Sequence, residues 1–198
     1  MKTNYVLIDY ENVQPDAMTV LNEEHFKVIV FVGANQAKVS FDVASALQQM
    51  GERAEYVRIS GNGSNALDFH IAFYIGQLAA RESDAYFHIV SKDTGFDPLV
   101  QHLKTRKILA CRSKDVTEIP IVKAANSKTP SDRLAVVIAD LQRRGSAKPR
   151  TVKTLGSTIN SIFQKQLSEP DLNGLLATLE QKGVIVTTGT KVSYSLPT

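Results

Sequence analysis

Tyr5-Val6-Leu7-Ile8-Asp9-Tyr10-Glu11-Asn12 carries an apolar run straight into a carboxylate and then into turn-forming residues. A continuous apolar run reads as a strand buried on both faces, the kind found at the centre of a parallel sheet. Asp9 falls at the carboxyl end of that strand, the side on which open α/β sheets bind ligands. An acid there is either a helix cap or part of a site, and the rest of the chain decides which.

Outward from this strand, Lys27–Val32, Glu55–Ile59, Tyr86–Val90 and Lys107–Cys111 read as four more strands. Between them, residues 15–24, 37–50 and 94–103 and the stripe Leu67, Ile71, Tyr74, Ile75 and Leu78 read as helices. The alternation predicts a three-layer α/β/α domain with a parallel sheet over residues 1–124. Residues 125–131 are polar and contain Pro130, so they read as a linker. Residues 132–198 change class. Apolar stripes around Leu134–Leu141, Leu155–Phe163 and Leu172–Leu179 precede an alternating segment that turns at Gly189, the layout of a small winged-helix domain.

Of the 198 residues, 43% are hydrophobic and 22% charged, ordinary globular values. No apolar run approaches the roughly 20 residues that span a bilayer, and the amino terminus leads into a strand pattern rather than a signal peptide. The expectation is a cytoplasmic protein with no membrane partner. Cys111 is the single cysteine, which excludes an intrachain disulfide and a cysteine-based zinc site; it reads as a buried strand residue. Residues 1–126 carry 13 Lys/Arg against 15 Asp/Glu, and residues 127–198 carry 10 against 5. A basic appendage on a mildly acidic body fits nucleic-acid binding.

Besides Asp9, Asp68 sits in the first turn of the helix after the third strand, and Asp93 and Asp97 follow the fourth. If the first and fourth strands are neighbours, Asp9 and Asp93 lie at adjacent strand ends. Each acid has a local alternative: Asn65-x-x-Asp68 and Thr94-x-x-Asp97 both resemble capping boxes. Convergence of several carboxylates without a matching Lys or Arg is costly, and a divalent cation relieves that cost. An all-oxygen ligand set points to Mg²⁺ or Mn²⁺ and suits phosphodiester hydrolysis.

Ile8-Asp9-Tyr10-Glu11-Asn12, then Asn65-Ala66-Leu67-Asp68, then Ser91-Lys92-Asp93-Thr94-Gly95-Phe96-Asp97 together resemble the PIN-like nucleases, particularly the NYN branch, over about residues 4–112. The resemblance implies a metal-dependent nuclease cutting RNA rather than DNA and leaving a 5′-phosphate and a 3′-hydroxyl. It places Asp9, Asp68 and Asp93 on the cation, with Asp97 assisting directly or through water. Asn12 corresponds to the asparagine that trails the first aspartate. The spacing of Asp93 and Asp97 departs from many members, and Glu11 is an added acid, read as solvent-exposed. The carboxyl-terminal pattern resembles the LOTUS or OST-HTH class of winged domains.

Candidate nucleic-acid contacts are Asn12, Asn35 after the second strand, Ser64 and Asn65 in the loop before Asp68, and Lys92 beside Asp93. In the winged region they are Arg143, Arg144, Lys148, Arg150 and Lys153, with Lys191 and Tyr194 on the wing. Gly61-x-Gly63-x-x-Ala66 matches the dinucleotide fingerprint superficially but follows the third strand, so a bound dinucleotide is disfavoured. His70, His88 and His102 read as packing or surface residues. Rival functions are an inactive nucleic-acid-binding protein and a protein-interaction adaptor; a homodimer is allowed.

Overall fold

The computed structural model describes residues 2–127, 129–163, 165 and 167–197. The chain divides into two compact units, Met1–Ile119 and Pro120–Thr198.

The first unit is built on five parallel strands: β1 (Asn4–Asp9), β2 (Phe26–Val32), β3 (Ala54–Arg58), β4 (Tyr86–Val90) and β5 (Leu109–Ser113). Their spatial order is β3-β2-β1-β4-β5. Three helices connect them: α1 (Phe41–Met50), α2 (Ala66–Arg81) and α3 (Phe96–Thr105). All six residues of β1 are buried, as its unbroken apolar pattern requires of a central strand. On one face Tyr5, Leu7, Ile29, Phe31, Phe87 and Ile89 pack on Leu67, Ile71 and Ile75 of α2 and Phe96 and Leu103 of α3. Burial of such side chains contributes about 1.5–3 kcal/mol each, which fixes both helices and the loops before them.

The strand order reverses at β1 and β4, whose register runs from Asn4 opposite Tyr86 to Ile8 opposite Val90. The next residue of each chain therefore emerges at a topological switch point, where doubly wound sheets open a crevice. Asp9 is that residue on β1.

Two expectations change here. Residues 15–24 do not form an α-helix; only Met18–Leu21 turns, as a 3₁₀ segment. Pro15 and the polar Asn22-Glu23-Glu24 leave too few apolar positions for a longer amphipathic stripe. Residues 120–125 form α4, which groups with the second unit rather than closing the first, because Ala124 joins that unit's core. The break between α4 and the next helix is shorter than the expected 125–131 linker, within which Lys128 lies outside the described residues.

The second unit continues with α5 (Pro130–Arg144), α6 (Val152–Ile162), α7 (Glu169–Gln181) and the antiparallel pair β6 (Ile185–Thr188) and β7 (Lys191–Tyr194). Thr129 and Thr151 start α5 and α6 with capping boxes, and Ser168 caps α7. Gly189 at φ 60° permits the hairpin turn. Leu134, Val137, Leu141, Leu155, Ile159, Leu175 and Leu179 form the core under the hairpin residues Val184 and Ile185. A third short β segment, unforeseen in the sequence, pairs Thr151 with Lys191, with Val192 N–H donating to Arg150 O at 3.1 Å and Val152 N–H to Thr190 O at 3.0 Å.

Candidate active site

Asp9 is wholly buried. Its Oδ1 accepts the Asn12 N–H at 3.2 Å, and its Oδ2 accepts Asn12 Nδ2 and Ser91 Oγ, both at 2.7 Å. The turn after β1 is closed by Val13 N–H donating to Asp9 O at 2.9 Å. A carboxylate offers about four lone-pair sites, so three donors orient Asp9 and leave one acceptor site unused.

Ser91 is itself buried and follows the last residue of β4. Its oxygen also accepts the Asp93 N–H at 3.0 Å, so one hydroxyl connects Asp9 to the backbone that carries Asp93. Asp93 Oδ1 accepts the Gly95 N–H at 2.7 Å, which folds the loop into a tight turn. A Cβ at position 95 would come within 3.1 Å of that same oxygen, so a glycine gives the carboxylate room.

Asp68 lies in the first turn of α2 and is half-buried. It makes no hydrogen bond or ion pair among the described residues, and Asn65, in the left-handed region at φ 64°, gives no side-chain cap. The capping alternative therefore does not account for Asp68. Its carboxyl is pushed above the ordinary 3.8, first by burial and then by the charges of Asp9, Asp93 and Glu11. Four acids from three separate stretches of chain thus share one electrostatic neighbourhood. Glu11 is solvent-exposed, yet its carboxylate lies over Gly33, where a Cβ would collide with Oε1 at 1.9 Å.

Asp97, expected to assist the cation directly or through water, is held by an arginine. Arg112 of β5 donates Nε to Asp97 Oδ1 at 2.7 Å and Nη2 to Oδ2 at 3.1 Å, so both oxygens face a guanidinium. That bond and charge hold the Asp97 carboxyl below its usual value and raise the Arg112 guanidinium. The third Arg112 contact, Nη1 to Ser91 O at 3.1 Å, clamps both ends of the segment that presents Asp93. The sequence reading counted acids without a matching base and missed Arg112; a charged residue beside Cys111 in a strand pattern was the available signal.

Among the other expected contacts, Asn35, Ser64, Asn65 and Lys92 are exposed. Asn12 is exposed too, but its amide is committed to Asp9. His70 is more than a packing residue: its Nδ1 donates to Ala66 O at 2.7 Å and its Nε2 accepts Ser60 N–H at 3.3 Å, fastening the loop before α2. In the second unit Arg143 and Arg144 both close on the buried Asp140 and keep about a third of their side chains exposed. Lys148 donates to Gly145 O and lies 5.8 Å from the Tyr194 ring centre. Arg150 and Lys153 stay exposed and have no carboxylate partner among the described residues.

A family model described as the PIN domain matches residues 3–113. The chain belongs to the PIN domain family. No curated protein matches it. The PIN domain is a nuclease-type fold that usually works with divalent metal ions, and the five-stranded parallel sheet seen here fits it. Among the described residues no three His, Cys, Asp or Glu side chains stand together as a ready ligand set. The PIN domain acids nevertheless fit a cation in kind: their donors are all carboxylate oxygens, and Asp68 is raised by burial and then by its acidic neighbours, with no compensating base. Mg²⁺ asks for only one or two carboxylates and completes its shell with water and phosphate. No helix among the described residues is long and apolar enough to cross a membrane.

Proposed function

We propose that this PIN domain protein is an NYN-type, Mg²⁺- or Mn²⁺-dependent ribonuclease of the cytoplasm. Asp9, Asp68 and Asp93 would hold the cation; Asp97 positions the Asp93 segment through Arg112. The observation that carries this reading is Asp68, unpaired among the described residues and raised first by burial and then by Asp9, Asp93 and Glu11, beside the switch point of the sheet.

When bound, the cation supplies Lewis-acid stabilisation of the phosphate and lowers the pKa of a coordinated water. The chain's own residues do the rest. Asp9 is oriented by Asn12 and Ser91. Asp68 and Asp93 would complete the carboxylate shell, and the attacking water gives its proton to solvent. The water oxygen bonds to phosphorus, the bond from phosphorus to the 3′ oxygen breaks, and that oxygen takes a proton from solvent, leaving a 5′-phosphate and a 3′-hydroxyl. Lys92, exposed beside Asp93, meets a flanking phosphate.

The second unit is read as a winged helix that holds RNA. The order α5, short strand at Thr151, α6, α7, β6, β7 supports this. Its α7 carries Glu169, Asp171 and Glu180 and no Lys or Arg, so phosphate contacts fall instead to Arg150 and Lys191 beside the short strand pairing and to Lys153 in the first turn of α6.

The test is cleavage of single-stranded RNA with Mn²⁺ by the wild type and by Asp9→Asn. Cleavage by the wild type alone is expected. Equal cleavage by both would contradict the assignment.

A further inference from the structure

The cleft at the carboxyl ends of β2 and β3 lies on the opposite side of β1 from Asp93, and the chemistry above makes no use of it. Two adjoining hollows of about 270 and 560 Å³ share Gln36 and Val39 as walls. Tyr56 and Arg58 line one; Tyr10 and Lys38 line the other. Together they reach the size of small-molecule sites, roughly 300–1,000 Å³.

The lining has three properties that the fold alone does not require. Tyr56 sits on the edge strand β3 and leaves 42% of its surface exposed. Arg58 and Lys38 have no carboxylate partner among the described residues; Arg58 donates only to Gln36 O, at 3.1 Å. Gln36 Oε1 is buried and has no donor, and such an orphan acceptor is ordinarily met by a ligand or water. An aromatic face and two available cations are components of nucleotide recognition.

Charge decides between an RNA strand and other occupants. Asp9, Glu11, Asp68 and Asp93 repel a phosphodiester, so a substrate strand needs cations close by. Arg58 and Lys38 stand at the same end of the sheet, in hollows that begin at Tyr10, the residue after Asp9.

We propose that this cleft is a nucleotide subsite of the nuclease: an unpaired RNA base stacks on Tyr56, and flanking phosphates meet Arg58 and Lys38. The proposal rests on the nuclease reading and adds a course for the substrate, from β3 across β1 toward Asp93.

Binding of a fluorescein-labelled single-stranded RNA by the full chain, read by anisotropy in EDTA, tests it without cleavage. Tyr56→Ala should weaken binding about tenfold, whereas Tyr56→Phe should stay near wild type. Arg58→Gln should weaken binding and lower the slope of log affinity against log salt by about 0.7. Tyr56→Ala and Arg58→Gln binding as the wild type does would overturn the subsite, even if the wild type cuts RNA. A wild type that binds with these dependences but never cuts with Mn²⁺ would uphold the subsite and overturn the nuclease reading. A wild type that binds no RNA overturns both.

Discussion

The Ser91 hydroxyl donates to Asp9 Oδ2 at 2.7 Å, tying the carboxyl ends of β1 and β4 together at a wholly buried carboxylate. Because the same oxygen accepts the Asp93 N–H, the spacing of two acids distant in sequence is set by one side chain. Ser91→Ala should destabilise the fold by about 1–3 kcal/mol, the cost of removing a buried bond to a carboxylate. It should also slow RNA cleavage. Urea midpoints of the two proteins check this; coincident curves would show that Asp9 does not depend on the bond.

Arg112 and Asp97 form a clamp, with side chains 12% and 48% exposed. Exposure of the acid screens the pair, so a double-mutant cycle of Arg112→Gln and Asp97→Asn should return a coupling of about 0.5–1 kcal/mol. The Asp97 carboxyl is depressed in the folded state, first by the Arg112 hydrogen bond. Its contribution is therefore present above the ordinary 3.8 and is lost as pH falls through the lower folded value. The stability gap between wild type and Arg112→Gln should narrow in acid. Asp97→Asn should keep the thermal stabilisation given by Mn²⁺, and its loss would return Asp97 to the cation.

Asp68 has the opposite sign. Its folded carboxyl is raised, so the folded state binds the proton more tightly and metal-free stability falls as pH rises from 3.8 through the raised value. Asp68→Asn should remove that fall and make the metal-free protein more stable at neutral pH. It should also abolish the Mn²⁺-dependent rise in melting temperature. Thermal melts across pH 3 to 7, with and without Mn²⁺, check both arms; an unaltered pH profile would mean that the acids do not feel one another.

Arginines of the second unit should separate into two classes. Arg143→Gln with Arg144→Gln leaves Asp140, 5% exposed, without its partners, and should cost about 1–3 kcal/mol while changing RNA affinity little. Arg150→Gln with Lys153→Gln should leave stability unchanged and lower the salt slope of RNA binding by about 1.4. Salt titrations of both pairs, beside urea melts, would contradict the assignment if the roles were exchanged.

The sheet was legible because its chemistry is local. Tyr5–Ile8 can only be a doubly buried strand, and Tyr86–Val90 matched its observed limits residue for residue. Adjacency of β1 and β4, on which the pairing of Asp9 with Asp93 depended, was stated only as a condition, since strand order depends on contacts far apart in sequence. Arg112 and Ser91 escaped for the same reason: an arginine one strand away and a serine in a turn acquire meaning only once Asp97 and Asp9 are beside them. The Asp140 pairs differ: Arg143 and Arg144 stand three and four residues on along α5, a helical spacing that is local in the sequence.

Anomalous diffraction from a crystal soaked in Mn²⁺ measures the central claim most directly. The account predicts a peak at the carboxyl end of β1 with oxygens of Asp9, Asp68 and Asp93 gathered around it, at least one or two of them within about 2.5 Å and Asp97 still on Arg112. A fully occupied Mn²⁺ elsewhere on the chain, with Asp9 untouched in its hydrogen bonds to Asn12 and Ser91, would contradict it.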